Sequence, residues 1–134
     1  MKYKVLIVDD REEVLVTLEK LLQQEGYTVE TTQSGTNAYE KIKSNKYHII
    51  LIGIEMPEMN GTQLLREIKK YDSMTQIIMM TEHSTMDKIL SSLEYGANDY
   101  IFKPLENIEF VMNVIDFSVQ KLNRWREAII QIVK

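Results

Sequence analysis

Short apolar runs recur along the chain, and each stops at a polar or loop-forming residue. Val5–Val8 is unbroken and ends at Asp9-Asp10. Such a run, without alternation, fits a strand covered on both faces. Val14, Leu15, Leu18, Leu21 and Leu22 then follow at helical spacing, and Gly26 closes that helix. Thr28–Thr31 is short and rich in β-branched residues, which predicts a second strand. Ala38, Tyr39 and Ile42 mark a helix after the turn "QSGT". Ile49–Ile52 predicts a third strand, and Pro57 with Asn60-Gly61 makes the next loop irregular. Leu64, Leu65 and Ile68 give a third helix; Ile77–Met80 a fourth strand ending at Thr81; Ile89, Leu90 and Leu93 a fourth helix ending at Gly96. Tyr100–Phe102 predicts the fifth strand, before Lys103-Pro104, and a long helical pattern runs from about Asn107 onward.

Strands alternating with helices predict βαβ units, right-handed crossovers and a parallel sheet with helices on both faces. Ligands of such open sheets bind outside the carboxyl ends of the strands. The residues expected there are Asp9, Asp10, Gly53, Glu55, Thr81 and Lys103.

Composition narrows the class. The 134 residues suit one domain, with 44% hydrophobic and 27% charged residues. A net charge of −4 gives no nucleic-acid footprint, and the absence of cysteine excludes disulfides and thiolate metal sites. The start "MKYKVLIVDD" reaches two aspartates after four apolar residues, unlike a signal peptide. No apolar run approaches a membrane-spanning length, so a cytoplasmic protein without membrane contact is expected.

Taken singly, the strand-end residues are unspecific. Asp9-Asp10 suits Mg²⁺, which takes one or two carboxylates and keeps several waters, but it equally suits a solvated acidic turn or a helix N-cap. Thr81 fits a plain turn, and Lys103 fits the surface as well as a point charge for phosphate. The bond from Lys103 to Pro104 is a candidate for cis. Their joint placement at four strand ends is the specific signal.

"VLIVDD", "MPEMNG", "MMT" and "GANDYIFKP" stand in the order and spacing of the receiver domain of two-component response regulators, which the chain resembles over roughly residues 2–120. The resemblance implies an α/β, flavodoxin-like (βα)5 three-layer sandwich with a parallel five-stranded sheet of order 2-1-3-4-5. It implies a phosphorelay role in signal transduction, not an enzyme in its own right. A sensor histidine kinase or phosphotransfer protein would be the partner. It implies Mg²⁺ held by Asp9, Asp10 and the backbone carbonyl of Glu55, with Asp10 the more direct ligand. Thr81 and Lys103 would contact the phosphoryl group, and Tyr100 would turn inward as Thr81 is drawn to it.

One position departs from the family pattern. Where the phosphoacceptor aspartate belongs, two residues before Glu55, stands Gly53. Glycine offers no nucleophile, so phosphoryl transfer there is impossible. Mg²⁺ binding is expected to weaken without vanishing, and Lys103 to turn to Asp9, Asp10 or Glu55. The chain then reads as a phosphorylation-deficient form, as an atypical phosphorylation-independent receiver, or as an interaction adaptor without Mg-dependent chemistry. A flavodoxin is disfavoured because the loop after the first strand is "DDREE", which repels phosphate. An aspartyl phosphatase would need two first-strand aspartates separated by one residue, and Asp9 and Asp10 are adjacent. His83 reads as a loop histidine near the site mouth, and no role is assigned to His48.

The final stretch carries a second signal. Ile108, Val111, Ile115, Leu122, Trp125, Ile129 and Ile132 recur at spacings of three and four, interrupted at Ser118. Residues 1–120 are expected to form the receiver, and 121–134 an extension of the fifth helix. An apolar stripe with no sheet beneath it needs cover. It could pair with itself in a homodimer, fold back on the domain, or lead into an effector.

Overall fold

The computed structural model describes residues 3–82, 85–103, 105 and 107–133. The expectations placed on His83 and Pro104 fall outside these residues. Five strands and five helices alternate: β1 (Lys4–Val8), α1 (Glu12–Gln24), β2 (Thr28–Thr32), α2 (Gly35–Ser44), β3 (Ile49–Gly53), α3 (Gly61–Tyr71), β4 (Gln76–Thr81), α4 (Met86–Glu94), β5 (Asp99–Phe102) and α5 (Ile108–Val133). All strand pairs are parallel, in the order β2-β1-β3-β4-β5. The strands reach one or two residues beyond their apolar runs, because the backbone ladder continues through polar ends such as Gln76 and Thr81.

Side chains alternate across the sheet and divide the core in two. Val5, Ile7, Ile49, Leu51, Ile78 and Met80 pack with α1 and α5. Leu6, Val8, Ile50, Ile52, Ile77 and Met79 pack with α2 and α3. Gly26 and Gly96 adopt φ of 92° and 101° just past α1 and α4, left-handed helix stops that glycine takes without strain.

The fourth helix forms where the sequence places it but faces differently. Ser92 is its buried residue, while Met86, Leu90 and Leu93 are exposed. In α5, Val111, Val114, Ile115, Ser118 and Leu122 are buried. Ser118 therefore does not interrupt the inward face but lies on it, and its hydroxyl has no partner among the described residues. Ile108, expected on that face, is exposed.

Polar clamps hold the sheet edge. Glu30 on β2 accepts from the Tyr47 hydroxyl at 2.6 Å and pairs with Lys4 at 2.9 Å. These partners, the Tyr47 hydrogen bond foremost, pull the Glu30 carboxyl from its usual 4.5 to about 2 against an opposing effect of burial. A depressed carboxyl stabilises the fold fully above its unfolded value, and that contribution is lost as pH falls through the folded value. Stability should therefore decline between pH 4.5 and about 2. Glu30→Gln should flatten that decline and lower stability at pH 7 by about 1 kcal/mol after solvent screening, measured by urea unfolding across the pH range.

Candidate functional site

The carboxyl ends of β1, β3, β4 and β5 meet at one edge, and the pairing register fixes which residues face one another. Val8 pairs with Ile52, so Asp9 follows beside Gly53. Thr81 pairs with Phe102, and the Lys103 N–H donates to the Thr81 carbonyl at 2.7 Å. Parity then sorts the side chains. Asp9, Gly53 and Lys103 continue the α1–α5 side of their strands, whereas Thr81 and Tyr100 continue the α2–α3 side.

Asp9 is fully buried. Its Oδ2 accepts from the Lys103 ammonium at 2.8 Å, and its Oδ1 accepts from the Arg11 N–H at 2.9 Å. The Lys103 side chain is itself only 7% exposed, so the pair is withdrawn from solvent. Both charges lose hydration there, and among the described residues each other and the Arg11 N–H offset that loss. Of the three partners expected for Lys103, Asp9 is the one it takes. Asp10, the next residue, is exposed.

Gly53 is buried in the last position of β3. A Cβ built there would stand 2.7 Å from Asp9 Oδ2 and 3.3 Å from its Cγ. The Asp9 carboxylate thus occupies the space that a side chain at position 53 would need. A close backbone approach lies next to it. A Cβ on Gly61 would fall 2.3 Å from the Gly53 carbonyl oxygen, while the Gly61 N–H donates to the Ile54 carbonyl at 2.9 Å. Asn60 caps α3 reciprocally with Gln63, fixing where the loop "MPEMN" ends.

Glu55 turns its side chain away from Asp9. Its Oε2 accepts from the Thr81 hydroxyl at 3.3 Å and its Oε1 from the Lys88 ammonium at 2.8 Å. Burial would raise the Glu55 carboxyl, but Lys88 and Thr81 outweigh it and hold the group below its usual range. Lys88, on the first turn of α4, is the site neighbour that sequence reasoning missed; no motif marks it, because only the fold brings α4 to this loop. Tyr100 is half-buried, packs against the α2–α3 core, and lies 5.4 Å from the Phe102 ring.

Asp9, Asp10 and the Glu55 carbonyl are hard oxygen donors of the kind Mg²⁺ takes. Asp9, however, is engaged on both oxygens, and among the described residues no group of three His, Cys, Asp or Glu side chains stands where it could hold a metal. The donor set fits the ion in chemistry, but the Asp9 oxygens are already engaged by Lys103 and the Arg11 N–H. Among the described residues no helix is long and apolar enough to cross a membrane.

The chain matches the response regulator receiver domain family over residues 5–115. It is 34% identical over 111 residues to the response regulator ArlR of Staphylococcus saprophyticus. It is 32% identical over 113 residues to the uncharacterized transcriptional regulatory protein YkoG of Bacillus subtilis. These matches cover 83% and 84% of this chain but 50% of each relative, so the chain spans about half the length of the curated relatives it matches. Among solved structures, a two-component response regulator from Clostridium difficile superimposes with a TM-score of 0.85 at 28% identity, covering 91% of this chain and 99% of that one. A CheY-like receiver domain protein from Methanospirillum hungatei gives 0.84 at 28% identity, covering 96% of this chain and 99% of that one. With the strand order, these similarities establish that the chain belongs to the receiver domain family of two-component response regulators.

Proposed function

We propose that this chain is a receiver that works without accepting a phosphoryl group. Gly53 occupies the phosphoacceptor position, and the observation that carries this reading is the Asp9–Lys103 pair, with the Asp9 carboxylate closed over Gly53. Lys103, which in a phosphoacceptor would pair with a phosphoryl oxygen, finds its anion within the protein. Glu55 similarly supplies an anion to the Thr81 hydroxyl and ties it to Lys88 on α4. Thr81, Lys103 and Tyr100 keep their phosphoryl-contacting and switch positions, but the charges they would answer are internal. Mg²⁺ would supply countercharge for a phosphoryl group. Asp10 and the Glu55 carbonyl remain available to it, so we place its binding as weakened.

The partner class follows from the family: a sensor histidine kinase or phosphotransfer protein, met by this cytoplasmic chain through surface contacts rather than transfer chemistry. Trp125, Ile132 and Val133 are 60%, 83% and 75% exposed on the α5 extension, which supports self-association along that edge. An adaptor with no Mg-dependent behaviour is the second reading, favoured by the engagement of both Asp9 oxygens.

Incubation with acetyl phosphate and Mg²⁺ should leave the mass of the chain unchanged. Gly53→Asp should gain one phosphoryl group on the peptide carrying residue 53, after Asp9 rotates out of the new side chain's way. A Gly53→Asp chain that stays inert at saturating phosphodonor defeats the claim that the remaining site is competent. Mg²⁺ titration separates the two readings, since no response at millimolar metal selects the adaptor.

Lys103→Met should strand a buried carboxylate and cost about 3–5 kcal/mol, seen as a lower urea midpoint with an unchanged slope. Sedimentation velocity should give a concentration-dependent dimer for the native chain and a monomer for the double variant Trp125→Glu, Ile132→Glu.

A further inference from the structure

At the opposite end of the sheet from Asp9, the α5 extension stands off the starts of β1, β3 and β4 and leaves a cleft of about 450 Å³. That volume lies within the range of small-molecule sites. Tyr3, Met74, Leu122, Ile129 and Ile130 give the cleft its apolar walls. Tyr3 and Leu122 are buried, so this part of the wall is fixed in the core.

The charged groups at the cleft are of one sign. Lys46 and Arg126 line it, and among the described residues no carboxylate does, in a chain whose net charge is −4. Lys46 is neutralised by Asp72, which also accepts from the Met74 N–H at 2.9 Å. Arg126 has no such partner. Among the described residues its guanidinium donates to the Tyr3 hydroxyl at 3.3 Å and meets no carboxylate. A guanidinium carries five donors, so most of them remain for a ligand.

His48 adds a neutral donor to the cleft. Its Nδ1 accepts from the Lys4 N–H at 3.0 Å, and its ring lies 4.7 Å from Tyr3. Burial foremost, with the Lys46 and Arg126 charges, holds its pKa below the usual value despite Asp72 nearby. The ring is therefore neutral at pH 7 and carries its hydrogen on Nε2.

We propose that this cleft binds a small amphipathic carboxylate, of the kind of a medium-chain fatty acid. The carboxylate would sit on Arg126 and the chain between α5 and the strand starts. An apolar wall asks for the alkyl body, and an unpaired guanidinium beside a neutral imidazole asks for a single negative head. The cleft borders the face assigned to self-association: at about 100° per residue, Arg126 lies about 20° around α5 from Val133, and Ile129 about 40° from Trp125.

Decanoate is the test ligand, read by calorimetry and by the fluorescence of Trp125, the chain's one tryptophan. Saturable binding below about 1 mM is expected, with decanol at least about tenfold weaker. Arg126→Gln should weaken decanoate at least about tenfold, and Arg124→Gln should leave it unchanged. Circular dichroism checks that the variants fold, and Ile130→Asp provides an independent block of the apolar wall. Three results would overturn the proposal: no saturable binding, equal binding of decanol, or indifference to both Arg126→Gln and Ile130→Asp. A dimer that buries this cleft and excludes decanoate would overturn it too.

Discussion

A buried lysine facing a buried aspartate sets the terms for the functional edge of this protein. Lys103 and Asp9 are both withdrawn from water, so each serves as the countercharge of the other. Together, with the Arg11 N–H on the second oxygen, they are satisfied without metal or phosphate. That closure depends on β5 running two residues past the level at which β1 ends, and on β3 between β1 and β4 presenting no side chain at Gly53. The ion pair therefore fills the space beside Gly53 at the carboxyl end of the sheet.

From this edge a polar connection reaches the outer face of the molecule. Glu55 links the loop after β3 to Thr81 at the end of β4 and to Lys88 at the start of α4. The same helix exposes Met86, Leu90 and Leu93, and β5 exposes Phe102 nearby in the fold order. Large apolar side chains left in water side by side are the kind of surface that partners cover. Their exposure also explains why α4 contributes so little to the packed layers.

Much of this was legible in the residues. Unbroken runs such as Val5–Val8 and Ile49–Ile52 identified doubly covered strands, and alternation of strands with helices left few topologies besides a parallel sheet. The strand-end residues were legible for the same reason, because a parallel sheet gathers the carboxyl ends of its strands at one edge. What escaped was geometry between elements. The turning of Lys103 to Asp9 rather than Asp10 depends on side-chain parity across paired strands. The role of Lys88 depends on where α4 docks. Ser118 looked like an interruption because a hydroxyl is read as polar, yet a small side chain is tolerated on a crowded inner face. His48, to which the sequence assigned no role, proves to accept the Lys4 N–H and to wall a cleft.

The fifth helix has a mechanical consequence. Its 26 residues make a rod of about 39 Å. Only the portion up to Leu122 is seated in the core. A continuous helix bends little, so its free part moves as a pointer fixed to the domain. A tilt of about 5° at Leu122 would displace its far end, about 17 Å away, by about 1.5 Å. The helix can therefore convert a change too small to disturb the packed core into a displacement large enough to make or break a contact between proteins.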